Sequence, residues 1–472
     1  MGKIDFGISG PSYDGASTIN GQKRGWWHIP SASAHPMKTT LFTLFFSALL
    51  FCATAADPDS KAEGESAKNR LDTNDRTLLN SPKTMNSTSQ PLGLRNAFVR
   101  ATRDKRLKII VIGNSVTNGA PVGKDEKKNP SFYVSLGDWF TKKFPEAKIE
   151  VVPRIIFAMG PEVQVFRMDE RVIAEKPDLV LVEFNAASGA ANSAWGENGP
   201  KLTDPASEGF FRRLRLLLPQ TDCLIEMALF KTMLDDYRRG KDPLCASFQH
   251  AAAAHYGNVY ADAGKEVAAR ILAGEPWAAY MNDGIHPNDQ GYEIYSKVLL
   301  AEVERQWTLF QALPESEKTV TPHAMPTTTL CPDPWLFARL VPAYNARHDA
   351  GFKVEETGPA KYLAATQVGA SGSFDASPGR IVGVLMRYPG ESCGNLELRS
   401  GDHWVRLSQK QEPHFTHGED SANHYIRALL GANGLPLSLD KIEFRVSNDP
   451  EVAGASTVEI IGFMVVERPA LD

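Results

Sequence analysis

Residues 108–119 read KIIVIGNSVTNG, and this stretch decides how the rest of the chain is interpreted. Lys108–Ile112 is an apolar run rich in isoleucine and valine, which is typical of a strand buried in a parallel sheet. The Gly-Asn-Ser turn that follows places the Ser115 hydroxyl at the carboxyl end of that strand, where open α/β sheets bind their ligands. Serine is also a favoured helix cap, so Ser115 alone does not define a site.

A second segment far downstream supplies the partners that a reactive serine requires. Residues 282–288 read NDGIHPN and place Asp283 three residues before His286. Ser, Asp and His in chain order is one of the known orders of a nucleophile, an orienting acid and a general base. The segment also has a purely structural interpretation, because Asp-Gly and Pro form turns. Together the two segments predict Ser115 as nucleophile, His286 as base and Asp283 as the partner that fixes the histidine tautomer.

Residues 105–311 alternate between strand and helix patterns. Repeated β-α units predict a parallel sheet with helices on both sides, a three-layer α/β/α domain. The helices are expected from Pro130 with Asn129 as its cap, over 162–175 and 210–218, and after His286. The predicted strands are Lys108–Ile112, Ile149–Ile156, Leu179–Phe184, Cys223–Leu229 and Asn258–Ala261.

The composition and the hydrophobic pattern of the sequence change after residue 311. Residues 312–334 are rich in Pro, Thr, Ser and Glu and are interpreted as a linker. In residues 335–472, short alternating or apolar runs are separated by Gly, Pro, Asn and Asp, which predicts an antiparallel β-sandwich. The predicted strands are Ile381–Tyr388, Asn395–Arg399, His403–Leu407, Asn423–Leu429, Lys441–Ser447 and Ser456–Val466.

Composition limits the class of protein. The 472 residues are 42% hydrophobic and 23% charged, as in ordinary globular proteins, and the net charge of −5 gives no reason to expect nucleic-acid binding. No metal or other cofactor is expected, because one Asp and one His are too few ligands and no further His or Cys stands nearby in sequence. The sequence leaves the oligomeric state open.

The sequence of the N-terminal region is typical of a targeting segment followed by a polar stretch. Met37–Ala56 has a short basic start, an apolar core and small residues at its end, which predicts a secretory signal peptide preceded by an upstream extension over residues 1–36. An uncleaved signal anchor is the alternative. Residues 57–104 are interpreted as a polar leader. We therefore expect a secreted, periplasmic or extracellular protein without stable membrane insertion after cleavage.

Four cysteines follow the signal segment. In an exported protein they can form up to two disulfides, with three possible pairings of all four, and the local pair Cys223–Cys245 and the distal pair Cys331–Cys393 would keep each bond within one domain. Free buried thiols are an equally good interpretation, because a chain of this size does not need disulfides for stability.

Ester or amide hydrolysis also needs donors for the negative oxygen that develops in the transition state. Gly160 follows the second predicted strand and opens a helix, so its backbone N–H is a candidate donor. The same residue also suits an ordinary strand-to-helix turn. The Ser115 N–H is a further candidate.

These segments resemble the SGNH/GDSL-type hydrolases over roughly residues 105–310. The resemblance is carried by Gly113–Thr117, by Gly160 and, most specifically, by Asp283–Pro287; the nucleophile segment is nearer to the branch with a Gly-Gly-Ser-Ile-Thr motif. It implies a flavodoxin-like α/β/α fold, no metal cofactor and hydrolysis of acyl esters by Ser115, His286 and Asp283. Members of the family act on lipids, small esters and acetylated polysaccharides.

The chain departs from this family at one position. The family has Gly-x-Asn-Asp after the third strand, and that Asn side chain donates to the oxyanion. Residues 183–188 read EFNAAS, which puts Ala187 at the Asn position in an ungapped comparison. The interpretation that we favour is a shifted loop in which Asn185 is the donor, since Asn185 and Ala187 share one face of an extended chain. Asn192 or Ser188 as donor, or a site without this donor, are the alternatives.

The sequence thus predicts a secreted serine esterase whose substrate is an acylated carbohydrate or small ester, with acetyl the expected acyl group. The carbohydrate rests on the combination of a secreted hydrolase with a β-sandwich domain. A lipase or small-molecule acylesterase is one alternative. The other is a non-catalytic carbohydrate-binding protein on a degenerate hydrolase scaffold.

Overall fold

The computed structural model describes residues 90–119, 131–186, 198–357, 360–389, 393–407, 414–415, 424–447 and 457–467. These residues lie within one compact unit of the chain, Leu78–Asp472. The predicted signal peptide and most of the predicted leader lie outside the described residues. Within the described ranges, no helix is both long and apolar enough to cross a membrane.

A parallel sheet forms the centre of the first domain. Its strand order is β2-β1-β3-β4-β5, which is the flavodoxin-like order. Every residue of β3 and β4 is buried, as expected for strands covered on both faces. The strands are β1 (Arg106–Gly113), β2 (Lys148–Ile155), β3 (Leu179–Val182), β4 (Asp222–Glu226) and β5 (Val259–Ala261).

Helices connect these strands and cover the sheet. In the described part of the chain, α9 packs against α1, α3 and α8, while α5 packs against α4 and α7, and these are the outer layers of the predicted α/β/α domain. The helices are α1 (Arg95–Thr102), α2 (Ser115–Asn118), α3 (Phe132–Lys143), α4 (Pro161–Gln164), α5 (Asn198–Leu217), α6 (Leu234–Arg238), α7 (Leu244–Tyr256), α8 (Ala263–Leu272) and α9 (Asp289–Gln311).

Two predicted helices differ from the structure. The helix expected over 162–175 is instead the short α4, a 3₁₀ turn at Val165–Arg167 and a π-helical stretch at Asp169–Ile173. The helix expected from residue 210 begins earlier, at Asn198, and contains Pro205. The predicted cap Asn129 and Pro130 lie outside the described residues, and Ser131 is the residue before α3.

Residues on both sides of the α/β domain extend it. α1, in the stretch interpreted as leader, contributes the fully buried Phe98 to the core. The stretch interpreted as a linker is also attached to the domain. His323 Nε2 lies 2.7 Å from Asp222 Oδ1, and the Cys331 N–H donates to Glu208 Oε2 over 2.5 Å. The described α/β layer therefore includes residues that composition alone assigns to flanking segments.

The second domain is the predicted antiparallel β-sandwich. One sheet has the order β13-β12-β16-β10-β7, the other has the order β14-β15-β11-β17-β9-β8, and β6 pairs with β17. The strands are β6 (Ala338–Pro342), β7 (Arg347–His348), β8 (Phe352–Thr357), β9 (Ala360–Ala365), β10 (Ser371–Asp375), β11 (Arg380–Arg387), β12 (Asn395–Ser400), β13 (His403–Arg406), β14 (His414–Phe415), β15 (His424–Leu429), β16 (Lys441–Ser447) and β17 (Val458–Val466).

No disulfide forms among the cysteines that the structure describes. Cys223, Cys245 and Cys331 are free thiols buried in the structure. This agrees with the interpretation of the cysteines as core residues. Burial raises the pKa of the Cys245 thiol to about 12, which keeps it protonated at neutral pH.

Candidate active site

The turn after β1 exposes the Ser115 hydroxyl. Asn114, and not Ser115, is the N-cap of α2, because the Asn114 side chain accepts a hydrogen bond from the Val116 N–H over 3.0 Å. Ser115 Oγ is thereby available for another partner, and it lies 2.8 Å from His286 Nε2. The alternative that Ser115 serves only as a helix cap does not describe this geometry.

Asp283 and His286 contact each other as the sequence predicts. His286 Nδ1 lies 2.8 Å from Asp283 Oδ2, and the other carboxylate oxygen accepts the N–H groups of His286 (2.7 Å) and Ile285 (2.8 Å). Burial raises the pKa of Asp283, but the hydrogen bonds from His286 and the backbone outweigh it and lower this pKa to about 2. The carboxylate is therefore ionised at neutral pH and holds the imidazole in one orientation.

Neighbouring elements fix the loop that carries this pair. The Lys231 N–H donates to the Gly284 carbonyl over 2.9 Å, and the Trp277 indole donates to the Asp283 carbonyl over 2.8 Å. On the serine side, the Tyr292 hydroxyl of α9 donates to the Val116 carbonyl over 2.9 Å. Because α9 begins directly after the histidine loop, it connects the serine turn to that loop.

Gly160 is the N-cap of α4 and follows β2, the strand next to β1. The Gln164 side chain donates to the Gly113 carbonyl over 3.1 Å, which brings α4 against the end of β1. The Gly160 N–H itself donates to Glu162 Oε1 over 3.2 Å. The candidate donor is thus already engaged by a carboxylate, a feature that the sequence does not predict.

Asn185 follows β3, the other neighbour of β1. Its side chain is only 1% exposed, and its Nδ2 has no hydrogen-bond partner among the described residues. A buried donor without a partner is uncommon in native proteins and calls for an explanation. The alternative donors Asn192 and Ser188 lie outside the described residues.

Glu183 connects the Asn185 loop to the serine turn. Its carboxylate accepts from Asn114 Nδ2 over 2.7 Å and from the Ala186 N–H over 2.8 Å. Burial raises the pKa of Glu183 to about 7, against the opposing effect of these hydrogen bonds. The sequence predicts Glu183 only as part of the third strand; the signal that could have indicated a further role is a charged residue within an apolar run.

A second buried acid lies beside Glu183, at the end of β4. Both carboxylate oxygens of Glu226 lack a hydrogen-bond partner among the described residues. Burial raises the pKa of Glu226 well above its usual range, and the nearby Asp262 and Glu183 raise it further. Burial and the two neighbouring carboxyl groups thus both favour the neutral form of the Glu226 side chain. Within the described ranges, no three His, Cys, Asp or Glu side chains converge in a way that would hold a metal ion.

No protein-family model and no curated protein matches the chain, but solved structures do. A two-domain esterase (CEX) active on acetylated mannans covers 81% of this chain and 97% of its own length, with 17% sequence identity and a TM-score of 0.58. The structure of that esterase co-crystallised with mannopentaose covers 79% of this chain and 95% of its own, with 17% identity and a TM-score of 0.57. An acetylxylan esterase from Geobacillus stearothermophilus covers 42% of this chain, with a TM-score of 0.35.

The likeness to the two-domain esterase establishes the class of fold. A parallel α/β domain followed by an antiparallel β-sandwich is common to both chains over most of their lengths. At this level of identity the likeness assigns an architecture, and function has to be argued from the site. Membership of the Gly-Gly-Ser-Ile-Thr branch stays a prediction.

Proposed function

We propose that this protein is a serine esterase that removes acetyl groups from carbohydrate. The observation that carries the proposal is the hydrogen-bonded row Ser115 Oγ, His286 and Asp283, with 2.8 Å at each step. A serine hydroxyl is a weak nucleophile until a base removes its proton, and a base with an oriented imidazole is what this row supplies.

In the proposed reaction, His286 Nε2 takes the proton from Ser115 Oγ as this oxygen attacks the ester carbonyl. Asp283 keeps the Nδ1–H directed toward itself and stabilises the imidazolium that forms. His286 then gives its proton to the departing alcohol oxygen, which leaves an acetyl group on Ser115. His286 then takes a proton from a water molecule, whose oxygen attacks the acyl carbon. The bond from this carbon to Ser115 Oγ breaks, His286 returns the proton to Oγ, and acetate is released.

Three donors are proposed for the oxyanion: the N–H groups of Ser115 and Gly160 and the side chain of Asn185. They follow the carboxyl ends of the adjacent strands β1, β2 and β3, which terminate at one edge of the sheet. Such preorganised donors stabilise the charge that develops in the transition state.

The choice of an acetylated carbohydrate rests on the two-domain esterase active on acetylated mannans, whose architecture this chain shares. It agrees with the prediction of an exported protein, in which Met37–Ala56 directs secretion. The lipase and the non-catalytic binding protein are the other outcomes that the experiment distinguishes.

The test is acetate release from acetylated mannan and acetylated xylan by the full chain and by Ser115→Ala. We expect the variant to lose roughly 10⁴–10⁶-fold in kcat, because the whole nucleophile–base unit is disabled. Ser135→Ala is the matched control, since this serine of α3 bonds Ser296 and not the site, and it should keep full activity.

Other results would point elsewhere. Preference for p-nitrophenyl octanoate over acetylated glycans would favour the lipase alternative. Absence of ester hydrolysis in the wild-type protein would favour the binding-protein alternative. Activity that persists in Ser115→Ala would mean that the reactive serine lies elsewhere.

A further inference from the structure

One side chain of the β-sandwich domain reaches the loop that carries Gly160. Arg427 belongs to β15, and its Nη1 lies 3.0 Å from Glu162 Oε1, a group of the α/β domain. The same nitrogen donates to the Ala158 carbonyl and lies 3.6 Å from Met159 Sδ. A single guanidinium thus contacts three residues around Gly160, although it belongs to the other domain.

The contacted loop has a backbone conformation that requires support. Ala158 has a φ of 54°, in the left-handed region that residues with a Cβ seldom adopt. Two residues later, Gly160 begins α4. Because the Arg427 guanidinium bonds the Ala158 carbonyl, it stabilises the turn that determines where the Gly160 N–H points.

Glu162 links Arg427 to the Gly160 amide. Its Oε1 is 3.0 Å from Arg427 Nη1 and accepts the Gly160 N–H over 3.2 Å. The Glu162 side chain is fully buried. Without a positive partner, the Glu162 carboxylate would accept a strong hydrogen bond from the Gly160 N–H. It would then compete with an oxyanion for this donor. The positive charge of Arg427 offsets this competition.

We propose that Arg427 is a positioning residue of the esterase: through Ala158 it fixes where the Gly160 N–H points, and through Glu162 it weakens the bond from this N–H to the carboxylate, so that an oxyanion can replace the carboxylate as acceptor. The proposal rests on the proposed function and deepens it. It makes the β-sandwich domain part of the machinery for turnover, in addition to any contact that this domain makes with substrate. Correctly oriented donors stabilise the oxyanion of the transition state more than they stabilise the carbonyl of the bound ester. A residue that orients a donor therefore affects turnover more than substrate binding.

The test measures kcat and KM for p-nitrophenyl acetate, an ester too small to depend on a carbohydrate surface. Arg427→Met removes the charge and the hydrogen bonds, and Arg427→Gln removes the charge but keeps an amide donor. We expect kcat to fall about 10–100-fold in both variants, less than for deletion of a whole oxyanion donor, with KM nearly unchanged. If Arg427→Met does not fold, Arg427→Gln carries the test.

A double variant separates positioning from general destabilisation. In Arg427→Met, the unpartnered Glu162 should depress activity, so Glu162→Gln in that background should restore part of kcat. Among the described residues, the charged group that faces Glu162 from the β-sandwich is Arg427, and the other groups that act on Glu162 are the backbone amides of Gly160 and Glu162. The loss in Arg427→Met should therefore increase as pH rises and Glu162 ionises, and this pH dependence should disappear in the double variant.

Arg387→Met is the matched control. It removes a similarly buried ion pair, Arg387 with Glu459 at 2.6 Å, that lies within the β-sandwich domain. We expect it to lower stability without lowering kcat of the folded enzyme. Equal losses of kcat in Arg387→Met and Arg427→Met, an unchanged kcat in folded Arg427 variants, or a loss confined to KM would overturn the proposal. If the wild-type activity does not depend on Ser115, the proposed function is wrong. If the activity depends on Ser115 but substitution of Arg427 leaves kcat unchanged, only the proposed role of Arg427 is wrong.

Discussion

The side-chain amide of Asn185 is a buried donor for which the described structure supplies no acceptor. Leaving a buried donor without a partner is unfavourable by about 1–3 kcal/mol. Asn185 Nδ2 is in this situation in the described structure. The proposed role of Asn185 as an oxyanion donor would account for it, because the partner would then be present only during the reaction.

We expect Asn185→Ala to lower kcat about 10²–10³-fold without lowering the unfolding free energy, because the Nδ2 group that it removes has no partner among the described residues. Asn185→Asp keeps the shape, removes the donor and should lose kcat to at least the same extent. Steady-state kinetics and urea unfolding of both variants test this. A drop in stability with full kcat of the folded fraction would instead assign Asn185 a structural role.

The sequence alone predicted that Ser115, Asp283 and His286 lie together, and these residues are in contact in the structure. Their signal is local, since each belongs to a short segment whose turn chemistry is readable. Arg427 and Glu162 are not predictable in this way. The contact between them joins residues far apart in the chain, and nothing in the composition of β15 or α4 indicates it.

Among the elements, helices α7 and α8 are connected through one charged side chain. His250 of α7 lies between two carboxylates, 3.1 Å from Asp262 and 3.6 Å from Asp242. Asp262 is also the N-cap of α8. Burial lowers the pKa of His250, but the hydrogen bonds to Asp242 and Asp262 outweigh it and raise this pKa to about 9.

The raised pKa predicts how this connection depends on pH. The folded state binds the His250 proton more tightly than the unfolded state, so its contribution to stability is complete below about pH 6.5 and is lost as pH rises through about 9. We expect His250→Gln to lower the unfolding free energy by about 1.5–3 kcal/mol at pH 6 and by much less at pH 9.5.

Urea unfolding at several pH values between 6 and 9.5 measures this difference. Gln249→Ala is the control on the same helix, because the uncharged Gln249 side chain donates to Ser207 Oγ over 3.1 Å and should show a difference that does not vary with pH. A constant difference between His250→Gln and wild type over the whole pH range would contradict the assignment of a charged His250.

Elements were predictable where one periodicity dominates. Each of the five parallel strands contains apolar residues in a short run or in alternation, and all five were located to within a few residues. The region after Gly160 was predicted as one helix because its apolar spacing is helical, but the chain passes there through α, 3₁₀ and π geometry. β7 was not predicted because its two residues, Arg347 and His348, are both exposed and show no apolar pattern.

At the scale of the whole molecule, the two domains share a hydrophobic core. The core of the α/β domain continues into the β-sandwich through Val382, Leu385 and Met464, which are all buried. Trp335 adds an aromatic contact with Phe166 at a centroid distance of 5.4 Å. A shared core of this kind couples the unfolding of its parts, because neither part can be exposed without loss of apolar burial in the other.

We therefore expect one cooperative thermal transition for the described unit, with a calorimetric enthalpy equal to the van't Hoff enthalpy. Leu385→Ala should weaken the coupling by about 2–5 kcal/mol and broaden or divide the transition. Leu398→Ala is the control: Leu398 is equally buried but belongs to the separate core between the two sheets of the sandwich. It should lower the melting temperature and leave the transition single. Two separate transitions in the wild-type protein would show that the domains unfold independently. The shared core would then not hold the two domains together, and Arg427 would be positioned against Gly160 only by its own contacts with Ala158, Met159 and Glu162.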